Sequence, residues 1–223
     1  MRVVTGKEVV QMGAGELDAL LAPYDRVAAD VGTGDGVHAY ACAKANPETF
    51  VVGIDTAARN LAGTARRAGR KPARGGLPNL LLVQAAAEDP PPELAGRAAE
   101  VFVVLPWGKL LDGIVLGQAD VLTGLASLAA PGAVLRITLN CEVWGDPTVP
   151  GDVAHLPELT PELALATLPE PFAAAGLTLT GARMLTLDEV RALRSTWSRR
   201  LAASREHPRF LFLEATRSEG PGA

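Results

Sequence analysis

A glycine-rich turn is the motif whose residue types and spacing point most directly to chemistry. Asp30 closes a hydrophobic run, and Gly32, Gly34 and Gly36 follow at alternate positions before a helical pattern begins. Glycines between a strand and a helix allow a tight turn and let a ligand approach the backbone closely. A dinucleotide fingerprint needs its third glycine at position 37, where Val37 stands. The motif therefore predicts a ligand-binding turn that departs from that fingerprint, or a turn with only a structural role.

Acidic and small residues follow the next two strands at places that suit an adenosyl group. Asp55 ends the second strand, at the spacing from the glycine turn where an acid binds the hydroxyls of a ribose. After the third strand, Ala87 leaves room for an adenine ring and Glu88 supplies a polar contact. Asp55 suits any adenosyl cofactor, and a solvent-facing aspartate remains an alternative. An acidic first helical turn is an equally good interpretation of Glu88.

Two of the three tryptophans lie in segments that favour contact with a target. Pro106 ends the fourth strand and leaves Trp107 at the carboxyl edge, where open α/β sheets bind ligands. Trp197 follows Ser195 in a later, arginine-rich segment. If that segment is one continuous helix, Trp197 belongs to an apolar stripe and is a core residue. The stripe would comprise Val190, Leu193, Trp197 and Leu201. Stacking on a target and packing in the core are thus alternative roles for both tryptophans.

The sequence shows no set of metal ligands. His38, His155 and Cys42 do not follow a metal-ligand spacing, and no Ser-His-Asp or Cys-His constellation is apparent. We therefore predict no metal. Cys42 and Cys141 form no CxxC pair, which is typical of a reduced cytoplasmic protein.

These motifs lie in an alternation of strands and helices that must position them. Strand-like runs occur at 27–31, 50–54, 80–83, 101–105 and 134–139. Helical patterns occur at 38–45, 57–68 and 119–129. Repeated strand–helix–strand units predict an α/β fold with a mostly parallel sheet and helices on both faces.

The two ends of the chain depart from that alternation. A hairpin is predicted within residues 1–12, with its turn near Gly6, and a short helix over 16–21. A helix over 162–175 precedes two closely spaced strands, 177–184 and 210–216, which suggest an antiparallel end to the sheet. Residues 141–160 and 185–208 are insertions. We predict one domain over residues 1–223, because 223 residues are too few for two full-sized domains.

Charge is distributed unevenly along the chain. The net charge of −4 argues mildly against a nucleic-acid-binding protein, and no apolar run approaches the length of a membrane span. Basic residues nevertheless cluster, and local clustering sets the potential that a polyanion meets. One cluster, which we call the basic cluster, comprises Arg66, Arg67, Arg70, Lys71 and Arg74. We predict that these residues fall on one helical face, which would suit a track of phosphates or an ordinary solvated surface.

Four stretches together resemble one protein family. They are DVGTGDGVHAY (30–40), KPARGGLPNLL (71–81), LPWGKLL (105–111) and STWSRRLAASR (195–205). The first is similar to motif I of class I S-adenosylmethionine-dependent methyltransferases. All four resemble the 16S ribosomal RNA adenine-N1 methyltransferases that modify adenine 1408 and give resistance to aminoglycosides such as kanamycin and apramycin. The resemblance implies a Rossmann-like fold whose mostly parallel, seven-stranded sheet has an antiparallel last strand. It also implies S-adenosyl-L-methionine as cofactor, the 30S subunit as partner, no membrane and a monomer.

The resemblance also implies roles for individual residues. The cofactor site would be lined by Asp30, Gly32, Gly34, His38, Asp55, Ala87, Glu88, Leu105, Trp107 and Ser195. Trp107 and Trp197 would hold the flipped adenine between them, and Ser195 would orient the second loop. RNA phosphates would be contacted by Arg66, Arg67, Arg70, Lys71, Arg200 and Arg205.

Two other function classes share part of these features. A small-molecule methyltransferase would need the same cofactor site but not the clustered arginines. A nicotinamide oxidoreductase is disfavoured by Val37 and by the absence of a hydride-site histidine or Tyr-Lys pair.

Overall fold

The strands of this protein form one mixed sheet. The computed structural model describes residues 1–141, 153, 155–193 and 209–219. Within these residues the strands are β1 (Arg2–Thr5), β2 (Glu8–Gln11), β3 (Arg26–Val31), β4 (Thr49–Asp55), β5 (Leu80–Gln84), β6 (Ala98–Val104), β7 (Ala129–Asn140), β8 (Leu177–Met184) and β9 (Phe210–Arg217). Their order across the sheet is β2-β1-β5-β4-β3-β6-β7-β9-β8.

The strand order places a switch point beside β3. Strands β3 to β7 run parallel, with β3 paired to β4 on one side and to β6 on the other. After β3 the chain continues to β4 and β5 on one side of it, and later to β6 and β7 on the other side. Such a reversal of strand order opens a crevice at the carboxyl edge of the sheet. The register aligns Asp30 with Gly53, so Asp30 and Asp55 end their strands at this same edge.

Helices cover both faces of the sheet. In the described residues they are α1 (Ala14–Leu21), α2 (Val37–Ala45), α3 (Ala58–Ala68), α4 (Lys109–Val115), α5 (Ala119–Leu128), α6 (Pro161–Thr167), α7 (Pro169–Ala174) and α8 (Leu187–Ala192). Helix α3 buries Leu61, Thr64 and Ala65, a helical spacing that turns one face toward the sheet. Helices α2 and α3 share one apolar cluster, and α1, α4, α5, α6 and α7 contribute to the core on the other face. No single helix in the described ranges has the length and apolarity needed to cross a bilayer.

The predicted architecture is confirmed. The seven strands in the order β5-β4-β3-β6-β7-β9-β8 form the mostly parallel part of the sheet. Among them, β9 is antiparallel to both of its neighbours. The N-terminal hairpin is also present, with Gly6 at its turn in the left-handed region (φ 68°). It extends the sheet, because β1 pairs with β5 through Val3 and Val83.

Several element boundaries differ from the predictions. The helix expected over 162–175 is two helices, because Pro169 cannot continue α6 and instead begins α7. Helix α3 ends at Ala68, so the basic cluster does not share one helical face. Arg74 instead belongs to a short 3-10 turn, Pro72–Arg74. Helix α4 was not predicted at all.

The second insertion is not one continuous helix. Helix α8 ends at Ala192, and Leu193 has an extended conformation with ψ 116°. The apolar stripe that would have made Trp197 a core residue is therefore broken at Leu193. Ser195, Trp197, Arg200 and Arg205 lie outside the described residues, as does most of the 141–160 insertion.

Candidate active site

A cavity of about 710 Å³ opens at the carboxyl edge of the sheet beside β3. This volume is within the range of roughly 300–1,000 Å³ that is usual for small-molecule sites. The predicted cofactor residues of the described chain all line it, namely Asp30, Gly32, Gly34, His38, Asp55, Ala87, Glu88, Leu105 and Trp107. The fold thus brings together residues spread over nearly eighty positions of sequence.

The glycine turn forms one wall of the cavity. Gly32, Gly34 and Gly36 have φ values of 70°, 63° and 73°, a region that other residues enter only at a cost. The turn is tied to the neighbouring strand, because the amides of Gly32 and Thr33 both donate to Ile54 O. A Cβ atom built on Gly34 would meet no other described atom within 4 Å. The backbone at Gly34 therefore faces open space that a ligand can reach.

Asp55 is fixed at the end of β4 by the backbone around it. Its Oδ2 accepts a hydrogen bond from Gly34 N at 2.9 Å, and its Oδ1 accepts one from Ala57 N at 2.9 Å. Each carboxylate oxygen can accept a second hydrogen bond. Asp55 therefore both anchors the glycine turn and keeps acceptor capacity on the cavity side.

Asp30 is buried beneath the glycine turn. Thr33 Oγ1 donates to its Oδ2. Its Oδ1 lies 3.2 Å from His38 Nδ1, close enough for a strong charge interaction. In the described part of the chain, no hydrogen bond of good geometry satisfies Oδ1. A buried carboxylate oxygen in this state has capacity for a donor on a bound ligand.

His38 is held as an imidazolium. Burial alone would lower the pKa of its ring, but the negative charge of Asp30 outweighs burial and raises the pKa to about 11. The ring forms a T-shaped contact with Phe102, with the two centroids 5.8 Å apart. At neutral pH the site thus carries a positive charge on His38, next to the buried carboxyl group of Asp30.

The structure also places Cys42 against His38. Its Sγ lies 3.7 Å from His38 Nε2. The two side chains meet because residues four apart share one face of a helix, here α2. Cys42 is not among the described residues that line the cavity.

The wall after β5 is positioned by a close approach of α5. A Cβ atom on Gly124 would lie 1.9 Å from Ala87 O, so only glycine lets α5 pack against this loop. Ala87 is buried, and Glu88 beside it is half-buried at the cavity. Lys109, the first residue of α4, forms ion pairs with Glu88 at 3.0 Å and with Asp120 at 2.9 Å.

The segment that carries Trp107 begins with a strained residue. The strand was predicted to continue through Leu105, but β6 ends at Val104 and Leu105 has φ 54°. A left-handed conformation costs a residue other than glycine about 1–2 kcal/mol. Leu105 N donates to Thr138 O at 2.8 Å, and its side chain is buried with Val190 and Phe210. These contacts hold the turn that directs the chain to Trp107, which is partly exposed at the cavity.

The basic cluster is exposed and lies away from the cavity. Helix α3 starts beside Asp55 at the carboxyl edge and runs back along the sheet for 11 residues. At about 1.5 Å per residue, its last turn lies roughly 10–15 Å from its first residue. The Arg67 guanidinium stacks 4.1 Å above the centre of the Tyr40 ring, and Tyr40 OH donates to Gly75 O. Arg67 therefore also packs against the protein itself.

Sequence reasoning missed some residues that line the cavity. Thr33, Asn60, Lys109 and Leu110 belong to this set. Thr33 lies inside the glycine motif and Lys109 inside LPWGKLL, so both belong to motifs that the sequence identifies. The sequence does not show that their side chains face the cavity. The signal for Asn60 is weaker, since it depends on which face of α3 turns to the cavity.

The charged pair at the base of the cavity makes stability depend on pH. The folded-state pKa of His38, about 11, exceeds its ordinary value of 6.5. The contribution of the His38 charge is therefore complete below pH 6.5 and is lost as the pH rises toward 11. We expect the difference in free energy of unfolding between the native protein and His38→Gln to shrink from pH 6 to pH 10. Urea denaturation at several pH values measures it, and a difference that grows with pH would contradict this assignment.

The fold and the site together define a class of protein. The order β5-β4-β3-β6-β7-β9-β8, the glycine turn after β3 and the acid at the end of β4 belong to class I S-adenosylmethionine-dependent methyltransferases. The cavity at the switch point is where such a sheet binds its ligand.

Comparison with known proteins specifies the family. Residues 2–216 match the family model described as NpmA: 16S rRNA (adenine(1408)-N(1))-methyltransferase. A 16S rRNA (adenine(1408)-N(1))-methyltransferase of Streptoalloteichus hindustanus is 43% identical over 206 residues, which cover 92% of this chain and 94% of that protein. The chain therefore belongs to the 16S rRNA (adenine(1408)-N(1))-methyltransferase family, and the resemblance drawn from four sequence stretches is confirmed.

Solved structures agree with that membership. A tryptophan-to-alanine variant of the Catenulisporales acidiphilia 16S rRNA (adenine(1408)-N(1))-methyltransferase, crystallised with cosubstrate SAM, is 42% identical with a TM-score of 0.92. The match covers 100% of this chain and 99% of that one. The 16S rRNA methyltransferase KamB is 41% identical with a TM-score of 0.89, covering 98% of this chain and 100% of its own.

Proposed function

We propose that this chain transfers the methyl group of S-adenosylmethionine to N1 of adenine 1408 in 16S rRNA of the 30S subunit, which confers aminoglycoside resistance. The observation that carries the proposal is the convergence of the predicted cofactor residues on one cavity, with Trp107 among its lining residues. The family membership supplies the reaction and the target nucleotide. The protein acts in the cytoplasm as a monomer.

The residues of the cavity fit this cofactor. Asp30, a carboxyl group at the base of the cavity, suits the ammonium group of the methionine part. Asp55 keeps acceptor capacity for the ribose hydroxyls, and the small side chain of Ala87 leaves space for the adenine ring. When bound, S-adenosylmethionine supplies a methyl group on a positively charged sulfur. Carboxylates around the cavity complement that positive charge.

The target base must leave its helix before it reacts. Adenine N1 is buried inside the RNA stack, so the nucleotide is flipped out at a cost of a few kcal/mol. An indole stacked on the base recovers about 1–3 kcal/mol of that cost. Trp107 supplies one such face from the strained turn after β6, and Trp197 supplies the other. Ser195 orients the loop of Trp197.

No general base is needed for the methyl transfer. Adenine N1 carries a free lone pair once it is unpaired, so catalysis consists mainly of aligning the reacting atoms. The product base carries a positive charge, and indole faces favour a cation that develops next to them. The protein therefore contributes by holding the adenine in place, and it does not need to transfer a proton.

Docking on the subunit depends on a different surface. The basic cluster and Arg200 and Arg205 would contact phosphates, which set affinity and orientation without sequence information. Within the described chain, the exposure of residues 66, 67, 70, 71 and 74 supports this role. Because the basic cluster lies at the far end of α3 from the cavity, it acts on docking rather than on cofactor binding.

Replacement of Asp55 tests the cofactor site. We expect Asp55→Ala to weaken binding of S-adenosylmethionine by about 10- to 150-fold, since charged hydrogen bonds contribute about 1.5–3 kcal/mol. Part of the loss comes from the glycine turn, which Asp55 anchors through Gly34 N. Isothermal calorimetry measures the dissociation constant, with Asp25→Ala, an exposed charge outside the cavity lining, as the matched control. Unchanged affinity in Asp55→Ala would exclude Asp55 from the cofactor site.

Two binding assays separate the proposal from its alternatives. Calorimetric titration with S-adenosylmethionine and with NAD distinguishes a methyltransferase from a nicotinamide enzyme. Salt-sensitive binding to purified 30S subunits distinguishes an RNA methyltransferase from one that acts on a small molecule. We expect binding of S-adenosylmethionine but not NAD, and an affinity for 30S subunits that falls steeply with salt.

A further inference from the structure

Lys109 connects three elements at one side of the cavity. It is the first residue of α4, and its Nζ contacts Glu88 Oε1 after β5 and Asp120 Oδ2 at the start of α5. Lys109 and Glu88 both line the cavity. A positive charge at a helix N-terminus is unfavourable to the helix dipole. The position of Lys109 is therefore not explained by the stability of α4.

The ion pairs constrain how Glu88 can present its carboxylate. Lys109 pairs with Oε1 of Glu88, and Oε2 is not part of this ion pair. Because Glu88 lines the cavity, Oε2 is the oxygen that can contact a ligand. Glu88 and Asp120 both contact the same nitrogen, so their carboxylates lie near each other and would repel without it. Loss of the ammonium group would let Glu88 rotate away from Asp120 into other rotamers.

We propose that Lys109 is a positioning residue for recognition of the cofactor's adenine, acting through Glu88. Held by Lys109, Glu88 aims one carboxylate oxygen at the 6-amino group of the adenine. The positioning role rests on the proposed function, because it assumes an adenosyl cofactor in the cavity. Asp120 is the outer partner of Lys109 and does not itself line the cavity in the described residues.

The test compares two probes that differ only at the adenine amino group. S-adenosylhomocysteine carries the amino group, and its 6-deamino analogue carries hydrogen at the same carbon. The dissociation constants of both are measured by calorimetry for the native protein, Lys109→Met, Lys109→Arg, Asp120→Asn and Glu88→Gln. Melting temperatures are recorded for every variant, so that a change in folding is separated from a change in recognition.

We expect the native protein to prefer the probe with the amino group. Glu88→Gln should lose part of that preference, because its amide oxygen is an uncharged acceptor that Lys109 no longer fixes by an ion pair. Lys109→Met should lower the preference by about two- to fivefold, the effect usual for partly exposed ion pairs. Lys109→Arg and Asp120→Asn, which keep a cation beside Glu88, should retain it. In the Glu88→Gln background, Lys109→Met should have no further effect, because the two residues act as one unit.

Two results overturn the inference while leaving the proposed function intact. One is that Lys109→Met prefers the probe with the amino group as strongly as the native protein does. The other is that Lys109→Met weakens binding of both probes equally, in the native protein and in the Glu88→Gln background alike. A native protein that binds neither probe would instead overturn the proposed function itself.

Discussion

Trp107→Ala is expected to lower the rate of adenine methylation by about 100-fold or more, the cost of losing a stacking face and the alignment it provides. Affinity for 30S subunits should stay close to that of the native protein, because phosphate contacts set docking and lie elsewhere. Cofactor affinity is measured separately, because Trp107 also lines the cavity. Methylation of purified subunits with labelled S-adenosylmethionine, together with calorimetry and subunit binding, measures these three quantities.

Trp107→Phe is the matched control for this prediction, because a smaller ring still stacks and should retain part of the rate. Trp197→Ala should show the same pattern as Trp107→Ala. The two losses should not add in the double variant, since removing either face breaks the same sandwich. The competing interpretation is a packing role, which would lower stability by about 3–5 kcal/mol. A much lower melting temperature, with activity lost in proportion to the folded fraction, would contradict the stacking role.

Neutralising four residues of the basic cluster is expected to have the second large effect. With Arg66, Arg70, Lys71 and Arg74 replaced by glutamine, affinity for 30S subunits should fall by about 100-fold at physiological salt. The slope of log affinity against log salt should fall by about 3, since each phosphate contact contributes about 0.7–0.9. Arg67 is kept because its guanidinium stacks on Tyr40, and its loss would also disturb the fold.

Cofactor affinity serves as the internal control for this variant, since the basic cluster lies at the far end of α3 from the cavity. Arg26→Gln with Lys44→Gln removes exposed positive charge outside the basic cluster and should change the salt slope little. Filter binding at several salt concentrations gives the slopes. Equal slopes in the fourfold variant and the native protein would show that these residues form an ordinary solvated surface.

The sheet and the cavity at its carboxyl edge were predictable because local patterns determined them. Strand and helix periodicity gave the parallel sheet, and the ends of parallel strands must share one edge, which brought Asp30, Asp55 and Glu88 together. The glycine turn followed from residue types alone. These features depend on spacing within about thirty residues, a scale on which sequence patterns are informative.

Features that depend on tertiary contacts were not predictable. Leu105 has a left-handed conformation and packs against Val190 and Phe210, which are distant in sequence. The break of α8 at Leu193 contradicts a good helical periodicity. The ion pairs of Lys109 join segments whose relative placement only the fold decides. The pairing of His38 with Cys42, by contrast, lay in a simple helical spacing and was missed.

Primer extension on 16S rRNA tests the central claim most directly. A susceptible bacterium expressing this chain supplies the rRNA, and the same strain expressing Trp107→Ala supplies the control. Methylation at N1 blocks the pairing edge of adenine, so reverse transcription should stop immediately before nucleotide 1408 in the first strain and read through in the second. The strain with the native chain should also grow in kanamycin. Read-through at nucleotide 1408 with the native protein present, folded and bound to S-adenosylmethionine would contradict the account.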